Sequence, residues 1–89
     1  MKFRILIKPQ QSREQELSLA ASLRRNLWSD TPIEIKPEDP NFQTKRMDNG
    51  QAYFEFVTPY AEEVHRIIRE YNYGNFVDIQ AVEIPQEQL

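Results

Sequence analysis

The chain has 89 residues, the size of one domain, and 11 Lys and Arg against 14 Asp and Glu give it a net charge of −3. It contains no cysteine, which excludes disulfides and thiolate metal sites. Nucleic-acid-binding domains usually carry net positive charge, so this chain could bind phosphates only through a local basic patch. No apolar run has the length of a membrane span. We therefore expect a cytoplasmic protein with no membrane partner.

The first third of the chain predicts a strand followed by a helix. In KFRILIK, residues 2–8, apolar and polar side chains alternate with the period of a half-buried strand. Pro9 ends this strand because it has no N–H to donate. Ser12 and Gln15 have the spacing of a capping box. Leucines at helical spacing follow, which predicts a helix over about 13–28.

The middle of the chain predicts a hairpin. Ile33 and Ile35 alternate with charged residues, and we predict the second strand at this point. Residues 44–47 could resume that strand after the intervening prolines. The Asp-Asn-Gly sequence at 48–50 is a strong turn signal. An amphipathic third strand is predicted over 51–57.

The last third predicts a helix followed by a strand. Thr58 is a good helix N-cap, and Pro59 suits the first helical position because its missing N–H would be unpaired there anyway. Apolar residues at helical spacing follow, and Gly74 is placed for a left-handed C-terminal cap. Residues 76–84 alternate as a final strand, with Val82 and Ile84 out of phase.

This order of elements predicts one domain of the α+β class. Strand, helix, strand, strand, helix, strand is the split βαβ, or ferredoxin-like, arrangement, with both helices on one face of a four-stranded antiparallel sheet. We assign residues 1–89 to this single ferredoxin-like domain, with a polar tail at 85–89. The second and fourth strands would be the sheet edges. The predicted core consists of Phe3, Ile5, Ile7, Leu23, Leu27, Ile33, Ile35, Ala52, Phe54, Phe56, Val64, Ile68, Val77 and Ile79.

Residue types that commonly carry catalysis are few. His65 is the single histidine. It lies beside the apolar stripe of the second helix, and without converging ligands this placement is typical of a boundary residue. The four serines have no evident base partner, and two glycines cannot build a phosphate-binding loop. We predict a non-catalytic protein that needs no cofactor or metal ion.

One segment is similar to an RNA-binding motif. RNA-recognition modules carry outward aromatic residues on the third strand, where they stack on bases. Within residues 49–56, Gly50, Ala52, Tyr53 and Phe56 match that motif, whereas Asn and Gln replace its basic residue and its first stacking aromatic. The resemblance implies that Tyr53 could stack on a base from the sheet face opposite the helices.

Three functions follow from these observations. The main prediction is a non-catalytic module for protein–protein interaction or regulation. Binding of single-stranded RNA or DNA through the open face of the sheet is the alternative, and a small-ligand enzyme with a pocket at a subunit interface is the second alternative. Self-association would use the last strand, which is a long sheet edge, or the helix face that carries Trp28. The predicted binding residues, on the sheet face and hairpin, are Arg4, Lys8, Lys36, Lys45, Arg46 and Tyr53.

Overall fold

The computed structural model describes residues 2–33 and 35–82. Its sheet has the order β2-β3-β1-β4 with antiparallel neighbours, and two helices complete a two-layer α+β arrangement. The predicted ferredoxin-like fold is therefore confirmed, as are its two edge strands. In chain order the elements are β1 (Lys2–Ile7), α1 (Arg13–Ser29), β2 (Lys45–Arg46), β3 (Ala52–Val57), α2 (Ala61–Glu70) and β4 (Val77–Val82), with 3₁₀ turns at Pro40–Phe42 and Tyr73–Asn75.

The central strand β1 sets the two faces of the sheet. Phe3 lies opposite Phe56 of β3, and Ile5 lies opposite Phe54. All four are buried. Successive side chains of a strand point to opposite faces, so the intervening residues of β1 face away from the core. This alternation decides which polar residues share a surface.

Helix α1 begins at the predicted cap. The Ser12 hydroxyl accepts a hydrogen bond from the Gln15 N–H at 3.2 Å. The Gln15 side chain reaches back to the Gln11 N–H at 3.1 Å, one residue before the partner that a capping box would give it. The helix continues through Ser29, one residue beyond its predicted end. Its buried face consists of Ala20, Leu23 and Leu27.

The predicted position of the second strand is wrong. Ile33 and Ile35 are outside the sheet, and β2 is only Lys45–Arg46, within the segment that could resume the strand. Prolines near Ile35 remove donors that a strand would need, and the chain turns there, with the Asp39 N–H donating to the Lys36 carbonyl at 2.9 Å. Ile33 is nevertheless buried, which confirms its prediction as a core residue.

The predicted start of the second helix is also wrong. Helix α2 begins at Ala61, with Tyr60 in the N-cap position and no side-chain capping bond. The Thr58 hydroxyl instead accepts a hydrogen bond from the Tyr60 N–H at 3.1 Å, which makes a local turn before the helix. Pro59 consequently lies in that turn and not in the first helical position.

The left-handed residue after α2 is Asn72 and not Gly74. Asn72 has φ of 59°, a conformation that Asn tolerates better than most residues. The predicted hairpin is confirmed, and there the left-handed residue is Gly50, with φ of 90°. Two backbone hydrogen bonds close this turn, from Met47 N–H to the Gln51 carbonyl at 2.9 Å and from Gly50 N–H to the Met47 carbonyl at 2.8 Å.

The predicted core is buried except for Ile35 and Ile79, which are partly buried and pack against it. Its main omission is Phe42, which is 0% exposed and meets the rings of Phe54 and Phe56 edge-on, with centroids 5.4 Å away in each case. The predicted continuation of β4 to Ile84, the tail at 85–89 and the side chain of Val82 lie outside the described part of the chain. Other buried apolar residues missing from the predicted core are Leu6, Ala20, Ile67 and Tyr73.

Candidate interaction surface

The structure brings four of the six predicted binding residues to one surface. Arg4 and Lys8 follow the outward phase of β1, and Tyr53 of β3 lies beside Leu6 on one side and Lys45 of β2 on the other. β4 contributes Asp78, opposite Leu6, and Gln80, opposite Arg4. We call this surface the open sheet face, and it comprises Lys2, Arg4, Leu6, Lys8, Lys45, Tyr53, Glu55, Asp78 and Gln80.

The other two predicted residues lie elsewhere. Arg46 pairs with the buried Ala52 and is directed to the helix side, where its guanidinium lies 3.6 Å from the Glu16 carboxylate of α1. It also donates to the Gly50 carbonyl at 2.9 Å. Lys36 is exposed in the turn before the first 3₁₀ segment, outside the sheet. Lys45 and Arg46 therefore point to opposite sides of β2.

Most cations of the open sheet face are paired with carboxylates. Glu55 lies 3.2 Å from the Lys2 ammonium and 3.3 Å from the Arg4 guanidinium. Lys8 lies 3.8 Å from Asp78. Burial by itself would raise the pKa of Glu55, but hydrogen bonds and positive charges of Lys2 and Arg4 outweigh that effect, and the pKa lies below its ordinary value. Three of the four cations on this face are thus paired, and its two carboxylates leave it a net charge of +2.

Sequence reasoning missed the importance of Lys2 and Glu55. Both have the outward phase of their strands, so alternation does place them on this face. What the sequence does not give is the register, which puts Glu55 directly opposite Arg4 and next to Lys2. A carboxylate in that position pairs with positive charge that would otherwise attract a phosphate.

Tyr53 is covered on one side by Arg4. The guanidinium carbon lies 5.5 Å from the centroid of the Tyr53 ring, within the range of a cation–π contact. Tyr53 itself is partly buried, and the neighbouring Leu6 is only 7% exposed although it belongs to the open sheet face. The outward aromatic therefore has a partner within the chain.

Strand β4 is a sheet edge with one free side in the described part of the chain. It pairs with β1 alone, and the Lys8 N–H donates to the Phe76 carbonyl at 2.8 Å. In an antiparallel pair, the backbone N–H and C=O groups of successive residues point alternately toward and away from the neighbouring strand. Those of Phe76 point toward β1, so the backbone groups of Val77, Ile79 and Ala81 point away from it. We call these outward N–H and C=O groups the β4 edge.

The two edges of the sheet differ in their protection. β2 is two residues long, and both residues are cationic, features that discourage strand addition. β4 has six residues, VDIQAV, without proline or lysine. Its Ile79 is only partly buried and its Ala81 is exposed, and Phe76, just before the strand, is 40% exposed.

A second exposed apolar surface lies on α1. Leu17 is 45% and Trp28 43% exposed, and about three helical turns place them on the same side of the helix. Between them, Arg24 donates to the Phe42 carbonyl at 2.9 Å and to the Pro37 carbonyl at 3.3 Å. Burial lowers the pKa of Arg24, in keeping with a side chain that anchors the loop after α1.

The remaining perturbed side chains join the two helices. Arg66 of α2 donates to the Asp30 carbonyl at 2.7 Å, and its pKa is raised first by a hydrogen bond to Glu63. Tyr71 donates to the Asp30 carboxylate, which raises the pKa of the phenol. These contacts hold the end of α1 against α2, and a structural role accounts for them.

Metal-binding groups do not converge in the described residues. A groove of about 420 Å³ lies between β1, α1 and the hairpin. Glu16, the ionisable side chain in its lining, already accepts a hydrogen bond from the Gln10 N–H at 3.0 Å and pairs with Arg46. His65 is exposed, and its ring meets Phe3 edge-on at 6.0 Å. No set of three His, Cys, Asp or Glu residues in the described ranges could hold a metal ion.

Neither helix of the described residues is long and apolar enough to cross a membrane. In comparisons with known proteins, no family model, curated protein or solved structure matches this chain. Its function has to be inferred from the geometry of its own residues.

Proposed function

We propose that this protein is a small cytoplasmic, non-catalytic module for protein–protein interaction, and that the β4 edge is the surface through which it binds. The observation that carries this proposal is a six-residue strand with a neighbour on only one side in the described part of the chain. Outward N–H and C=O groups are satisfied when another strand is added to the sheet. Partly exposed apolar side chains at the same place supply area for burial.

The open sheet face supports this proposal indirectly. A nucleic acid on that face would have to compete with Glu55 for Lys2 and Arg4, and with Asp78 for Lys8. The net charge of −3 adds repulsion at low salt. These observations favour a protein partner over a phosphate backbone. Single-stranded nucleic-acid binding and an interface enzyme stay predictions.

Site-specific photo-crosslinking in cells tests the proposed function. A photo-reactive residue is placed at Gln80, which is exposed in β4, and a matched one at Ser18, which is exposed on α1. We expect defined protein adducts from position 80 that are missing from position 18. Equal products from both positions, or none from position 80, would contradict the proposal.

A salt titration with single-stranded RNA and DNA tests the alternative. Phosphate contacts strengthen as salt is lowered, so a nucleic-acid binder would bind best in dilute buffer. We expect no binding at low salt. Binding that is lost on Lys45→Ala or Tyr53→Ala would instead favour the alternative, since both side chains lie on the open sheet face.

A further inference from the structure

We propose that the occupant of the β4 edge is a second copy of this chain, paired antiparallel about a twofold axis at Ile79. The inference rests on the proposed function and names the partner. Two four-stranded sheets would join through their β4 strands into one continuous sheet. A closed twofold contact of this kind uses the same surface on both copies.

The direction of the backbone groups restricts how two β4 strands can pair. Within the described length of β4, the residues that present their N–H and C=O groups outward are Val77, Ile79 and Ala81. A register that opposes these residues to one another forms hydrogen bonds, and a shift of one residue along the partner strand would not. When Ile79 lies opposite Ile79 of the second copy, Val77 lies opposite Ala81 of that copy. All three outward residues of each strand then form backbone hydrogen bonds with the other strand.

The side chains of the open sheet face favour the same register. Asp78 of one copy lies opposite Gln80 of the other, and symmetry repeats the pair. A carboxylate accepts hydrogen bonds and an amide NH₂ donates them, so the two are complementary. They occupy non-hydrogen-bonded positions, where cross-strand side chains are closest. Moving the axis to Asp78 would instead oppose two like charges.

On the helix side the same pairing joins two apolar rows. Ile79 is partly exposed and Ala81 is exposed, and the second copy would cover both. The contact is short, at the low end of specific interface sizes, so we expect a weak dimer that forms at high protein concentration.

Charge substitutions at Gln80 distinguish contacts between two copies from contacts within one chain, because the two kinds of contact respond with opposite sign. Gln80→Asp would face Asp78 of the second copy and weaken the dimer, whereas Gln80→Lys would strengthen it. Within the chain Gln80 lies opposite Arg4, so the effects on folding stability have the reverse sign. Two symmetric pairs should change the dimer dissociation constant by roughly 2- to 30-fold in each direction. Sedimentation equilibrium measures the dimer, and thermal unfolding at low concentration measures the fold.

An Asp78→Asn background provides the control. If Asp78 is the residue that position 80 meets, both charge substitutions should lose their effect on dimerisation in that background. Undiminished effects would overturn the register. A reversed order, with Gln80→Asp the tighter dimer, would also overturn it.

Cysteine pairing gives a readout of geometry. The natural chain has no cysteine, so Asp78→Cys and Gln80→Cys each introduce a single thiol. A mixture of the two variants should form the heterodimeric disulfide in preference to either homodimer, because only positions 78 and 80 are directly opposite. Preference for the homodimers would refute an axis at Ile79.

The outcomes distinguish this inference from the proposed function. A wild-type chain that stays monomeric at every concentration would overturn the second-copy proposal. Adducts with a different protein at position 80 would then still support an interaction module. Failure of both experiments would overturn both proposals.

Discussion

Removing the Phe42 ring should cost more stability than any other single truncation outside the regular elements. Phe42 comes from a 3₁₀ turn, is 0% exposed, and packs edge-on against Phe54 and Phe56. Phe→Ala in such a setting loses about 3–5 kcal/mol from transfer and cavity terms. A domain of this length is stable by about 4–13 kcal/mol in total. We therefore expect Phe42→Ala to lower the melting temperature by roughly 12–40 °C.

Phe76→Ala is the matched control for this prediction. Phe76 is 40% exposed, so the same change of side chain should cost only about 1–1.5 kcal/mol. Urea unfolding followed by circular dichroism measures both variants, and Phe42→Leu provides a folded intermediate if Phe42→Ala does not fold. A Phe42→Ala loss no larger than that of Phe76→Ala would refute the reasoning that this turn completes the core.

Three further predictions concern single contacts. The pKa of Glu55 is lower in the folded than in the unfolded chain, so the unfolded carboxyl binds protons more readily. The contribution of Glu55 to folding stability is therefore present above about pH 4.3 and is lost as the pH falls through the folded pKa. Glu55→Gln should flatten this part of a curve of unfolding free energy against pH. Tyr73→Phe should cost about 0.5–1.5 kcal/mol in thermal unfolding, since its buried hydroxyl hydrogen-bonds two α1 side chains. Tyr71→Phe, at an exposed site, should lower the melting temperature less than Tyr73→Phe does. Gly50→Ala should cost about 1–3 kcal/mol because its φ is 90°, and Gly74→Ala, with open space around it, should be tolerated; equal losses would contradict this assignment of the left-handed residues.

The parts of the fold that follow from local chemistry could be predicted. A capping serine, alternating strands and an Asn-Gly turn each act over a few residues, and the helix predicted over about 13–28, the hairpin and the order of the elements follow from them. The start of α2 was misplaced because Thr58 can cap a helix or close a turn with equal local chemistry. The choice depends on the approach of the chain, which the sequence does not show.

The errors in the middle of the chain have a different cause. Ile33 and Ile35 have strand periodicity, but burial of Ile33 comes from packing outside the sheet. Phe42 has no periodic neighbours, so no pattern marks it as a core residue. Its position depends on Arg24, which bonds the carbonyls on both sides of the turn. Such long-range anchoring can be recognised only in the folded chain.

Strand alternation predicts which residues share the candidate surface, but it does not predict which of them contact one another. Alternation correctly brings Arg4, Lys8 and Tyr53 to one face. It does not reveal that Arg4 covers the Tyr53 ring and joins Glu55. The register determines whether charges on a strand surface are available to a ligand or neutralise one another.

The backbone polar groups of the β4 edge differ from the side chains of the open sheet face in whether the chain supplies their partners. Backbone N–H and C=O groups need partners, from the chain, from water or from another molecule. On the open sheet face the side chains largely satisfy one another, through Glu55 with Lys2 and through Lys8 with Asp78. On the β4 edge the outward groups of Ile79 and its neighbours have no strand partner in the described part of the chain. A binding partner gains most where the chain has not already satisfied its own groups, and for that reason we assign the interaction to the edge of the sheet and not to its face.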